Sequence, residues 1–530
     1  MIAGLQDKKC IFLVPLSGVL MALCLVIPRL GFLQWVAIVP MLLYLFSRDV
    51  TAKRAPLRLW GVGALYFLSY YLVIYHWFFA LYPMEFAGVT KGEAALIVLV
   101  CWLGVSLLQT FFSSLIFPLF ALLCRTWAVK RLPIFLPFVF AAQYTVAEWA
   151  QTLTWLGMPW ARLSLGQIGA GFIPGSASLL GSYFITLSLV TVNALIAFVL
   201  LHADRRRFVA IALSSTFVLS LLLGAVGTLA NDPEKGESIT VAAVQGNVGS
   251  SQKWTGAARE QTYRVYEAYT AEAAAAGAEL VVFPETFLPY ELTESNSTGL
   301  FVRGLAIRYN VTIMCGAFSY EDEGEYNAVF TVHPDGSIDE VVYAKRHLVP
   351  FGEYVPMRGL VEFLIPVLAD IGMLDADLLA GEDTALVTLE KGKVGALICF
   401  DSIYEELTRA SVRDGAELLV LPTNDSWFTD SAAVYMHASQ ASMRAIESGR
   451  WIVRSADTGI SSVIDPRGEQ HDVQPPLEEG VAIATARMSS ARTLYSYIGN
   501  LLVYLLIAGL LALPIASLVR VIYQRKKRGA

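Results

Sequence analysis

The sequence predicts a polytopic α-helical membrane domain of about eight spans joined to an α/β domain, a sandwich of two sheets with helices on its outer faces. Three observations carry this. Hydrophobic residues make up 55% of the 530 and charged residues only 16%, against about 25% charged in soluble proteins. Apolar runs of the length that crosses a bilayer, roughly 20 residues, follow one another through the first 230 residues and return once near residue 500. From about 231 to 492 the pattern changes to short β-type runs alternating with helical stretches and Gly/Pro/Asp turns, as in an α/β domain.

The spans are expected near 10–28, 30–47, 60–83, 94–124, 132–153, 172–202 and 208–230, with the last near 496–520. Basic residues gather in alternate connections: Lys8 and Lys9, then Arg48, Lys53, Arg54 and Arg58, then Arg125, Lys130 and Arg131, then Arg205, Arg206 and Arg207, and finally the tail from Arg525 to Arg528. By the positive-inside rule both termini are expected in the cytoplasm. Seven crossings then put 231–492 on the outer face. The expected division is a membrane domain over 1–230, an extracytoplasmic domain over 231–492, and a final helix with a basic tail over 493–530. The first apolar run lacks a small-residue cleavage site and further spans follow it, so it reads as a retained span. Glu148 falls inside or at the end of the fifth expected span, where ionisable groups are usually paired or functional. It is a candidate for anchoring Arg162 or meeting a polar lipid headgroup, unless the span ends earlier and leaves it at the interface.

In the outer segment the β-type runs are ITVAAVQG, AELVVFP, VTIMCGAF, NAVFTVHPDG, GKVGALICF, AELLVLPTND, WIVRSAD and SSVIDPRG; helices are expected at 257–277 and 432–449. AVFTVHPDGSIDEVVYAK reads as a hairpin closing over a Pro-Asp-Gly turn.

The net charge of −6 gives no support for nucleic-acid binding. The 6 cysteines form no CxxC or Cys/His cluster and no glycine-rich phosphate loop occurs, so neither a metal nor a cofactor is expected.

Chemistry is concentrated at three strand exits. Cys399 ends KVGALIC, before Phe400, Asp401 and Ser402. A free cysteine is more often a small, inert hydrophobe, and Cys315 in VTIMCGAF fits that description better. A nucleophilic thiol needs a base or a cation. Glu285, in FPET, is placed to take the thiol proton, although a Pro-Glu pair alone is equally a surface acid. Lys345 is placed to stabilise thiolate and oxyanion, although most lysines are solvated. Glu353, in FGEY, is a partner for Lys345 or a loop acid.

Together FPET, K-x-x-LVPFGEYVP, ICFD, PTNDSWF and R-x-x-E-x-GR resemble the nitrilase superfamily, whose αββα sandwich carries a Glu-Lys-Cys triad. The flanking membrane spans, with VQGN and KW at 244–254, TLYSYIG at 493–499, EW at 148–149 and WLGMPW at 155–160, narrow the resemblance to the apolipoprotein N-acyltransferase family. The resemblance implies Glu285 as general base, Lys345 as transition-state stabiliser, Cys399 as nucleophile and Glu353 as the second glutamate. It implies Trp254 and Trp427 as aromatic residues at the mouth of the site. It also implies a phospholipid acyl donor, a diacylglyceryl apolipoprotein acceptor and a bacterial cytoplasmic (inner) membrane. Many members have Tyr-Glu after the cysteine where this chain has Phe400-Asp401; the Phe400 backbone N–H still serves an oxyanion, while the carboxylate's role is open.

The expected reaction is ping-pong acyl transfer through a Cys399 thioester. Extracting an acyl chain from lipid costs about 0.8 kcal/mol per CH₂, so an active site at the bilayer surface is favoured. Apolar residues within 287–300 and 354–375 are expected to form a membrane-dipping loop. The alternative is a membrane-tethered nitrilase-type amidase acting on a small amide.

Overall fold

The computed structural model describes residues 8–84, 88–249, 253, 256–340, 342–364 and 377–529. The chain divides into two compact units.

The first unit takes in Met1–His76, Leu99–Thr228 and Ile498–Ala530. Among the described residues, 7 helices are long and apolar enough to cross a membrane: Lys9–Val26, Pro28–Phe46, Ala55–Leu81, Lys91–Leu123, Ser182–Leu201, Ala203–Ala230 and Leu501–Arg528. The remaining expected span, the fifth at 132–153, contains a helix of only 15 residues, Leu136–Ala150. At about 1.5 Å per residue it is shorter than a hydrocarbon core of about 30 Å. The physical reason is a stretch rich in Gly and Pro, from Gly157 to Gly181, that turns through two short 3₁₀ segments, Leu163–Gln167 and Ile173–Ser176, before Ser182–Leu201 begins. Glu148 lies in the last turn of the 15-residue helix. Its two oxygens accept from Leu163 N–H at 2.7 Å and Thr186 Oγ1 at 2.6 Å.

The second unit takes in Leu229–Tyr497 and also Trp77–Val98, a segment that the sequence reading leaves with the spans. Trp77 packs edge-on against Phe428, ring centroids 5.0 Å apart. The strands are β1 (Glu237–Gln245), β2 (Leu280–Val282), β3 (Thr312–Glu321), β4 (Gly324–Val332), β5 (Tyr343–Ala344), β6 (Val387–Leu389), β7 (Gly392–Ala396), β8 (Leu418–Thr423), β9 (Ile452–Ala456), β10 (Ser461–Ile464), β11 (Gln470–Gln474) and β12 (Gly480–Met488). They form two 6-stranded sheets, ordered β12-β1-β2-β3-β4-β5 and β11-β10-β9-β8-β7-β6. Each sheet has a parallel centre, β1-β2-β3 and β7-β8-β9, flanked by antiparallel strands.

The parallel strands are covered on both faces, which is why they read as unbroken apolar runs rather than alternations. Val241, Leu280, Met314, Val394, Val420 and Val453 fill the layer between the sheets. On the other side of the first sheet, helices Gly256–Ala275 and Ser297–Tyr309 cover Val244, Val281 and Ile313 with Tyr266, Val302 and Leu305. Helix Ala432–Ser448 packs beside the second sheet. The Pro-Asp-Gly hairpin forms as expected, with Gly336 N–H donating to His333 O at 2.8 Å and β5 pairing antiparallel to β4.

Candidate active site

Open α/β sheets present their functional groups beyond the carboxyl ends of parallel strands, and this unit follows that rule. Glu285 follows β2 and Cys399 follows β7. Asp425 follows β8 and Asp457 follows β9. Gly316, in β3, lets the Glu285 turn lie against the sheet: a Cβ there would stand 2.6 Å from Glu285 Cα. The residue after Glu285, Thr286, has φ +43° and Cys399 itself has φ +46°. A left-handed backbone at a non-glycine costs about 1 kcal/mol or more and persists only where its surroundings hold it.

Lys345, just beyond β5, is almost fully buried. Its Nζ lies 2.8 Å from Glu285 Oε1 and 2.9 Å from Glu353 Oε1. Asn327 Nδ2 donates to the same two oxygens, at 2.7 and 2.9 Å. Glu353 Oε2 accepts from Val349 N–H at 2.8 Å. Burial opposes the Lys345 ammonium, yet the Glu285 and Glu353 carboxylates outweigh it and hold its pKa above the ordinary lysine range. The lysine is therefore a permanent cation. Cys399 is buried within electrostatic range of both Glu285 and Lys345; burial and the Glu285 charge push its thiol up, against the pull of Lys345. The resting sulfur carries its proton, so attack requires a base.

The sequence-predicted residues fall into distinct places. Lys345 bridges Glu285 and Glu353, and Cys399 lies within electrostatic range of Glu285 and Lys345. Phe400 and Asp401 belong to the 3₁₀ turn Cys399–Ile403. Asp401 is turned into the protein, where it accepts from Tyr343 Oη at 2.8 Å, His347 N–H at 2.7 Å and Ile398 N–H at 3.0 Å. Trp427 is half-buried in the turn that carries Asp425. Glu148 belongs to the other unit, and Trp254 lies outside the described residues, as does 365–375 of the expected membrane-dipping loop.

Sequence reasoning missed two buried clusters. Lys253 reaches behind the Glu285 turn, donating to Thr286 O at 2.9 Å and Glu285 O at 3.3 Å, and pairs with Asp457. Behind the cysteine turn, His437 from helix Ala432–Ser448 lies 2.7 Å from Asp425 Oδ1 through Nδ1, and Arg454 lies 2.6 Å from Asp425 Oδ2. Burial pushes the Asp425 carboxyl up, but Arg454 and His437 together hold it at about 2. The available signal was the polar pair Asn424-Asp425 at a strand exit, parallel in position to Cys399.

Donor atoms of Cys399, Asp425 and His437 lie within 4.8 Å of one another, the spacing of a metal site. The Arg454 guanidinium already neutralises Asp425, and His437 Nδ1 is committed to the same carboxylate. The residues do not fit a resident cation.

Comparison with known proteins agrees over both units. Residues 240–495 match the carbon-nitrogen hydrolase family and residues 17–195 match the apolipoprotein N-acyltransferase N-terminal domain. The apolipoprotein N-acyltransferase of Geobacter metallireducens is 30% identical over 509 residues, covering 93% of this chain and 92% of that protein. The chain belongs to the apolipoprotein N-acyltransferase family. The Gloeobacter violaceus member is 31% identical over 478 residues, 89% of this chain and 87% of its own. Among solved structures, an amidase from Nesterenkonia sp. matches 48% of this chain and 93% of its own at 17% identity, with a TM-score of 0.37. The chain is thus an acyltransferase of the membrane, and the amidase alternative is not favoured, because relatives of that name match along nearly its whole length.

Proposed function

We propose that the chain transfers a fatty acyl group from a membrane phospholipid to the N-terminal amine of a diacylglyceryl-cysteine on apolipoproteins, through a thioester on Cys399. The observation that carries this reading is the buried Lys345 held between Glu285 and Glu353 within electrostatic range of the Cys399 thiol.

Glu285 takes the Cys399 proton as the sulfur attacks the ester carbonyl. The negative charge that develops on the carbonyl oxygen is met by Lys345 and the Phe400 N–H, donors that need no reorganisation. Collapse breaks the ester C–O bond; the leaving lysophospholipid oxygen takes the proton from Glu285 and the acyl group stays on sulfur. The incoming amine then attacks the thioester, Glu285 removes its proton, and the proton returns to the departing Cys399 sulfur. One nucleophile serving two substrates in turn gives ping-pong kinetics. Glu353 and Asn327 keep Lys345 and Glu285 in register through both halves.

The expected setting is the bacterial cytoplasmic membrane, with the α/β unit on the outer face and both termini in the cytoplasm. The 15-residue helix then counts as a crossing. Exposed Met357, Leu360 and Phe363, around the short helix Arg358–Leu364, are apolar enough to dip into lipid.

Intact-mass spectrometry of the purified protein with phospholipid, beside Cys399→Ala, tests the reading. A hydroxylamine-labile gain of one acyl group, absent from the variant, is expected. No gain on folded protein with an alkylatable Cys399 would reject phospholipid as the donor.

A further inference from the structure

The carbonyl of Cys399 is gripped from the side of the protein interior. Ser402 Oγ donates to it at 2.7 Å, and His437 Nε2 lies 3.1 Å from it. A carbonyl only accepts, so Nε2 carries a proton and donates. The same nitrogen is 3.2 Å from Ser402 Oγ, whose own proton is spent on the carbonyl. The other end of the ring is fixed by Asp425, itself clamped by Arg454, whose second contact is Ile460 O. All of these side chains are buried.

This grip has a consequence one bond away. The Cys399–Phe400 peptide is planar, and in a trans peptide the C=O and the N–H point in opposite directions. Fixing the Cys399 oxygen toward His437 therefore fixes the Phe400 N–H on the opposite side. That N–H meets no acceptor among the described residues. It is the donor the acyl-transfer step requires. The left-handed φ of Cys399 persists only where its surroundings hold it, and the two side chains on its carbonyl are part of those surroundings.

We propose that His437, braced by Asp425 and Arg454, is a positioning residue that aims the Phe400 N–H at the developing oxyanion through the Cys399–Phe400 peptide plane. The proposal rests on the reading of Cys399 as nucleophile. His437 does not touch the reacting atoms, and its contribution is the direction of a dipole.

The test separates attack on a carbonyl from reaction at sulfur. Alkylation of Cys399 by iodoacetamide forms no oxyanion; thioester formation from phospholipid does. Full-length protein in mixed micelles with dioleoylphosphatidylethanolamine is assayed for both by mass spectrometry. In His437→Leu the Asp425–Arg454 pair survives, so no buried charge is orphaned. Thioester formation is expected to slow about 10²-fold, the scale of losing an oxyanion donor, while alkylation changes less than about threefold. His437→Gln, which can present an amide donor to the same carbonyl, should recover at least about tenfold of that loss. A parallel fall in both reactions, or no fall in acylation, overturns the proposal. If the His437 variants show no cooperative thermal unfolding, Ser402→Ala decides. It removes the other side-chain donor to the carbonyl, and about tenfold slower acylation with unchanged alkylation is expected; unchanged acylation overturns the proposal. An acyl adduct on Cys399→Ala protein would instead defeat the underlying reading.

Discussion

The hydroxyl of Tyr343 donates to Asp401 Oδ2 at 2.8 Å, with both side chains buried. Two backbone N–H groups share the carboxylate, one from Ile398 just before the nucleophile and one from His347 just after Lys345. Asp401 therefore ties the turn of the cysteine to the segment of the lysine. The Phe-Asp pair in place of Tyr-Glu is a matter of how the two strand exits are joined, since this carboxylate is spent inside the protein.

Asp401→Ala is expected to cost about 3 kcal/mol, because two buried donors and one half-buried donor lose their acceptor; thermal unfolding measures it. The pH dependence has a definite sign. Burial raises the Asp401 carboxyl from 3.8 to about 6, with Lys345 and the hydrogen bonds opposing. An acid raised on folding favours the folded state while protonated, and that contribution is lost as pH rises from about 4 to about 6. Across that window wild type should lose up to roughly 3 kcal/mol relative to Asp401→Asn. A constant gap would contradict the assignment.

Glu285→Gln should split two reactions of the same sulfur. Loss of the general base slows acylation by about 10³-fold. Alkylation at fixed pH should quicken, because the Glu285 charge is one of the influences that keep the Cys399 thiol protonated. If both reactions slow together, Glu285 is acting on the shape of the site rather than on its protons.

Lys253→Met should destabilise the folded chain by about 3 kcal/mol, since it strands the buried Asp457 carboxylate. Adding Asp457→Asn should restore most of the stability without restoring acylation, as the Glu285 and Thr286 carbonyls still lack their donor. Full recovery of acylation in the double variant would show that the lysine matters only as a counter-ion.

Replacing Met357, Leu360 and Phe363 by Ser should leave the melting curve within about 1 °C, because these side chains are exposed and surface changes are nearly neutral. Turnover of phospholipid in vesicles should fall about tenfold, with acylation by a soluble activated ester unchanged. Equal rates with the vesicle substrate would remove the lipid-contact role.

The apolar runs, the basic loops and the strand exits were legible in the sequence because each is a local pattern. Glu285, Lys345, Glu353 and Cys399 stood out at strand exits and in loops only weakly one by one, and the resemblance of their combined motifs singled them out; the structure brings Glu285, Lys345 and Glu353 into hydrogen-bond contact, with Cys399 in electrostatic range of the first two. The 15-residue helix was overdrawn because hydropathy runs on through Trp149 and Leu153, whereas a helix ends where the backbone turns. The edge strand β11, QHDVQ, escaped notice because it lacks the apolar alternation that marks a half-buried strand.

The sequence by itself determined the two-part organisation, the α/β class of the second part and the chemical identity of the thiol, carboxylate and ammonium. Only the tertiary structure decided what surrounds them. Lys253, Asn327, Asp425, His437 and Arg454 are scattered through the chain, and apart from the strand-exit position of Asp425 nothing in their local sequence distinguishes a buried, paired polar side chain from a solvated one. Their roles arise because two sheets stack with their parallel strand ends together, excluding the water that would otherwise satisfy each of these groups alone. There each must find its partner in the protein.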